Sequence, residues 1–154
     1  MIREALAETI RQWPFITPYR FRGVEDLVLQ FGRPYDPAPT QHRRGPQACF
    51  QAAYRVAAGK SSRWIYVEGF ALSEFGALRH AWLTRADTPD AAYEVAWADR
   101  EGAEYLGIPL RRDYVREIYL SSKCKYYGVL DAWWIHSPLV TGETPIEDVL
   151  WKFS

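Results

Sequence analysis

Cys49, His80 and Glu94 are the residues of this chain whose types and order suit covalent catalysis. A cysteine nucleophile needs a thiol that ionises near neutral pH, a base within hydrogen-bond reach, and a group that orients the base. In the stretch "GPQACFQAAYRVAAG", Gly45 suits a helix N-cap, Pro46 the first helical position and Gly59 a C-terminal stop. Gln47, Ala48 and Cys49 then complete the first turn, where unpaired N–H groups and the helix dipole favour a thiolate. The competing reading is structural. Cysteine is a small hydrophobe, among the most buried residue types, and this helix is rich in alanine.

His80 lies in the middle of a predicted strand that can pack on the Cys49 helix. Its imidazole can take the thiol proton or hold an ion pair with the thiolate. Glu94 lies at the matching place on the next strand. Facing residues of neighbouring antiparallel strands are ~5 Å apart, so a carboxylate there can fix the imidazole tautomer. The plainer alternatives are a core histidine bonded to a backbone carbonyl and an exposed strand glutamate. Glu68, a lone acid in an apolar strand, either pairs with an arginine or reaches the site. Trp82 and Trp97 flank the candidate base and acid.

The elements that must position these residues follow from pattern. Residues 2–13 read as an amphipathic helix, with Ile2, Ala5, Leu6, Thr9 and Ile10 on one face. "VEDLVLQF" is expected to be a short helix. "GRPYDPAPTQHRRGP", with its prolines, is expected to be a loop. "RWIYVEGFAL" reads as a strand, with Trp64, Tyr66, Glu68, Phe70 and Leu72 on one face. "SEFG" turns the chain into a second strand, "ALRHAWLTR". "ADTPDA" turns it again into a third, "AYEVAWA", with Glu94 and Ala96 on one face. A short strand at 105–108 and a helix from about Asp113 come next. In the tail, "TPIEDVLW" reads as a last helical turn, with Thr144 as cap, Pro145 next and Glu147 at capping-box spacing. The order of elements gives an α+β fold, with N-terminal helices packed on a small antiparallel sheet. The chain is read as one domain, 1–154. Its parts are a helical and loop region (1–45), the Cys49 helix with the strands (46–110), and a helix with an aromatic tail (111–154).

Cysteine at a helix start, "HAW" on a strand, then an acid just before a tryptophan resembles the transglutaminase-like and papain-like cysteine enzymes. Their chain order is Cys, His, then Asp or Asn. The counterparts here are Cys49, His80-Ala81-Trp82 and Glu94-Val95-Ala96-Trp97. The layout "QAC", Tyr66-Val67-Glu68-Gly69, "HAW" and Tyr105–Leu110 is also similar to small uncharacterised bacterial and phage proteins. The resemblance covers roughly residues 46–110 and implies a papain/transglutaminase-like core. Glu94 stands where the family has Asp, and the family's following proline and threonine are absent. The resemblance also implies an oxyanion donor. Gln47 is the favoured one, with Gln41 and the Cys49 N–H as alternatives.

Bulk properties bound the function. The chain has 154 residues, 48% hydrophobic and 16% aromatic, enough for a real core and too apolar for disorder. Formal net charge is zero, so no global field draws nucleic acid or anionic membrane. No apolar run is long enough to span a bilayer, and the start lacks a secretory signal, so a cytoplasmic protein is expected. The histidines (His42, His80, His136) are scattered, and no Cys/His spacing fits zinc. Neither metal nor cofactor is expected. Cys124, between two lysines, is expected at the surface without a role. Trp133, Trp134, Tyr126 and Tyr127 form either core or a stacking platform.

The expected function is a cysteine hydrolase or acyltransferase acting on an amide, peptide or isopeptide bond. Cys49 is the nucleophile, His80 the base and then the acid, and Glu94 the orienting group. The partner is then a protein, peptide or amide substrate. A non-catalytic protein-interaction domain on the same scaffold is the main rival, with a nucleic-acid or nucleotide binder behind it.

Overall fold

A computed structural model of the chain describes residues 1–13, 19–39, 49–59, 61–97, 104–123 and 128–153. Apolar residues at four-residue spacing build the first helix, α1 (Ile2–Gln12), which buries Ile2, Leu6 and Ile10. Helix α2 (Gly23–Phe31) buries Val24, Leu27 and Val28. Helix α3 (Cys49–Ala57) lays Ala52, Ala53 and Ala57 on the sheet; such small side chains let a helix approach closely. The expected cap at Gly45 and Pro46 lies outside the described residues.

The sheet is mixed and closed into a five-stranded barrel, in the order β1-β4-β3-β2-β5. This corrects the expected small antiparallel sheet. Strands β2 (Trp64–Ser73) and β3 (Gly76–Arg85) pair antiparallel along their whole length. Strand β4 (Thr88–Tyr93) follows on one side, and β5 (Glu104–Pro109) pairs with β2 on the other. Strand β1 (Arg33–Ala38) closes the ring. Its residues 33–35 pair antiparallel with β5, and residues 36–38 pair parallel with β4.

Strand β1 corrects the loop expected from its prolines. Proline lacks the N–H that an internal strand must donate. Each half of β1 registers with only one neighbour, so Pro34 and Pro37 fit without breaking a two-sided ladder. Strand β4 is a second correction. It begins at Thr88, inside the expected turn, and ends at Tyr93, so Glu94 lies just past the strand instead of within it. The Glu94 carboxylate accepts the N–H groups of Val95, Ala96 and Trp97, which removes those donors from any ladder. The last helical turn also differs. It is a 3-10 turn at Ile146–Asp148 capped by Pro145, with no side-chain cap from Thr144.

Closure explains why β2 is buried at every position from Trp64 to Ala71. One face looks into the barrel, where Tyr35, Val67, Ala71, Trp82, Ala92 and Tyr105 pack together with Trp97 against them. The other face meets the helices in a larger cluster that also takes in Val129, Leu130, Leu139 and Ile146 of the C-terminal segment. Helix α4 (Arg112–Ser121) and the short α5 (Pro138–Thr141) complete that layer. Among the described residues, no helix is long and apolar enough to cross a membrane.

Candidate active site

Strand β3 places His80 and Trp82 on its barrel-facing side, two residues apart. The ring of His80 is fully buried, and its Nε2 lies 2.7 Å from Glu94 Oε1. With the carboxylate ionised, Nε2 is the donor and Nδ1 is left for another partner. Nδ1 makes no hydrogen bond of ordinary geometry. The Cys49 thiol, at the start of the described part of α3, lies on the same side and favours the charged form of the ring. Strand β3 and the bend beyond β4 thus bring His80 and Glu94 into contact, with Cys49 supplied from α3.

Glu94 is held from several directions. Its Oε1 accepts from His80 and, at 3.2 Å each, from the N–H groups of Val95, Ala96 and Trp97. Its Oε2 accepts from the Tyr105 hydroxyl at 2.7 Å. Burial alone would favour the neutral acid. The hydrogen bonds and the His80 charge outweigh it and hold the carboxyl below its ordinary range. Burial likewise disfavours a charged His80 ring. Hydrogen bonds and charge from Cys49 and Glu94 overcome that and push the imidazole up to about 9.

Aromatic rings close the site. Trp97 stacks on His80 with ring centroids 3.9 Å apart. Trp82 lies farther off, at 6.1 Å, and meets Tyr105 edge-on at 5.0 Å. Gly107 makes room for the Trp82 indole, since a Cβ there would lie 2.6 Å from it.

Comparison with family models, curated proteins and solved structures found no match.

Glu68 is not brought to His80. It lies on the opposite face of β2 from the barrel interior. There its carboxylate accepts from Tyr66 Oη at 2.6 Å, Arg79 Nη2 at 2.8 Å, and the N–H groups of Val129 and Leu130. Its partners are therefore structural: it ties the C-terminal segment to the β2–β3 hairpin. Gln47 and Gln41 lie outside the described residues, as do Cys124, Tyr126 and Tyr127. Trp134 is half-buried and donates through Nε1 to Ser121 Oγ, whereas Trp133 is 60% exposed. Among the described residues, no group of three or more His, Cys, Asp or Glu side chains is placed to hold a metal.

Sequence reasoning missed Tyr105. The signal was present in the alternation of "EYLGIP", which sets Tyr105 and Gly107 on one face and Leu106 and Ile108 on the other. Without β1 in place, nothing marked the first pair as facing an enclosed interior.

Proposed function

We propose that the protein is a cysteine hydrolase or acyltransferase of papain/transglutaminase-like design, acting on an amide, peptide or isopeptide bond. The observation that carries this reading is the buried 2.7 Å contact between His80 Nε2 and Glu94 Oε1, with Cys49 next to the same ring. A carboxylate on one ring nitrogen leaves the other for the thiol proton, which is what an activated thiolate needs.

In this reading, His80 already holds the thiol proton as the imidazolium of an ion pair, and the Cys49 Sγ thiolate bonds to the substrate carbonyl carbon. The carbonyl electron pair moves onto oxygen, where the Cys49 N–H and the Gln47 side chain are the proposed donors. Collapse of the adduct breaks the C–N bond. His80 returns its proton to the departing amine, leaving a thioester on Cys49. Water or a second amine, giving up a proton to His80, then attacks the thioester and regenerates the thiolate. Hydrolysis, deamidation and transfer differ only in the leaving and attacking groups. A cytoplasmic setting is part of the proposal.

The test is the pH dependence of iodoacetamide alkylation at each cysteine, read by mass spectrometry on the native protein. Cys49 is expected to react below about pH 7, and His80→Ala to move that reaction to higher pH. A Cys49 that stays unmodified until the protein unfolds overturns the catalytic reading. The second reading, a non-catalytic interaction domain, is favoured by the exposed Trp133 on the C-terminal segment. That same inert Cys49 is its expected result.

A further inference from the structure

The geometry points to Tyr105 as a positioning residue that locks the Glu94 carboxylate against His80. This rests on reading Cys49, His80 and Glu94 as the reacting set. Tyr105 comes from β5, across the barrel from the bend that carries Glu94, and its hydroxyl donates to Oε2 at 2.7 Å. Both residues are buried, and no other hydrogen bond to Oε2 is found among the described residues.

The two oxygens have divided roles. Oε1 faces His80 and the N–H groups of residues 95–97. Oε2 is satisfied by the phenol. Remove the phenol, and a buried carboxylate oxygen has lost its donor. The carboxyl recovers a donor by rotating, which draws Oε1 away from His80, and the imidazolium loses support.

Among the described residues, the titratable groups facing His80 are Cys49 from α3, Glu94 beyond β4 and Tyr105 from β5. Arg79, the preceding strand residue, is turned to the other face and held by Glu68. Tyr105 is the one that reaches the base through the acid, by its hydrogen bond to Glu94 Oε2.

The experiment uses the full chain with 15N-labelled histidine and follows His80 by NMR through a pH titration. Tyr105→Phe is expected to lower the pH midpoint of His80 by about one unit, the scale of one hydrogen bond to a charged group. Tyr35→Phe is the control. Tyr35 lies in the same barrel interior, but its hydroxyl has no partner among the described residues, so the midpoint should stay in place. An unmoved midpoint in Tyr105→Phe, or an equal shift in both variants, overturns the inference. Should Tyr105→Phe not fold, the wild-type protein carries the test. Its Tyr105 hydroxyl proton should exchange slowly and change chemical shift at the pH where His80 titrates. A shift that is flat through that pH overturns the inference as well. An inert Cys49 in the wild type overturns the catalytic reading alone, so the two failures are separable.

Discussion

The indole of Trp97 lies on the imidazole of His80, with centroids 3.9 Å apart and planes 23° from parallel. A charged imidazole against the negative face of an indole is favourable, and the indole also keeps water from the His80–Glu94 contact. The stack exists because the Glu94 carboxylate folds the following backbone around itself and sets Trp97 over the ring. Replacing Trp97 by alanine removes this cover. Alkylation of Cys49 below about pH 7 is expected to slow up to tenfold, the scale of one aromatic contact, and Trp97→Phe is expected to keep most of the rate. An unchanged rate in Trp97→Ala would show that the stack is packing alone.

Glu94→Gln keeps the shape and removes the charge. The buried imidazolium loses its anion, and burial, which lowers the His80 pKa, then dominates. Breaking a buried pair by removing one partner costs about 3–5 kcal/mol. Urea denaturation should read a loss of that order, and the His80 midpoint should drop to its ordinary 6.5 or below. Glu94→Asp keeps the charge but is one methylene short of reaching both His80 and the N–H groups of 95–97. It should fall between the wild type and Glu94→Gln on both measurements.

The paired shifts set a stability profile in pH. His80 binds its proton more tightly folded than unfolded. Its contribution is complete below pH 6.5 and is lost as pH rises through about 9. Glu94 acts in the other direction. Its contribution is complete above pH 4.5 and is lost as pH falls through its lower folded value. Urea midpoints measured from about pH 4 to about pH 10 should peak between these limits and decline towards both ends. A flat alkaline limb would contradict the His80 assignment.

Gly128 should tolerate no side chain. Its φ is +106°, and a Cβ there would lie 2.9 Å from Glu68 Oε2. Gly128→Ala combines backbone strain with a clash against a buried carboxylate, at a cost of about 1–3 kcal/mol. Thermal unfolding should show the loss, while the His80 titration midpoint stays unchanged, because Glu68 does not contact His80.

Much of the local structure was readable from pattern. The helices at 2–12 and 23–31 and the β2–β3 hairpin follow from periodicity and turn residues. The meeting of His80 with Glu94 was anticipated from strand order, but by a different route. Glu94 reaches the ring from a bend beyond β4, not from a facing strand position. The closing strand was hidden because local rules treat Pro34 and Pro37 as breakers, whereas a strand that changes partner midway has positions with no bond to donate. Tyr105 was hidden for a related reason. Which side of β5 faces inward depends on β1, a long-range pairing that propensity does not encode. Glu68 was legible as an acid needing a partner. Arg79 was within reach of that logic, but the backbone donors of Val129 and Leu130 were not.

Those donors lie 61 and 62 residues downstream of Glu68. During synthesis the β2–β3 hairpin therefore emerges with its central acid still lacking two of its partners. The acid can enter the core only after residues 129 and 130 have been made. A chain cut before that point would lose an internal wall, not a loose tail, and would leave an anion facing the helices. The last quarter of the sequence thus decides whether the middle can stay folded, and shortening from the C-terminus must stop beyond Leu130.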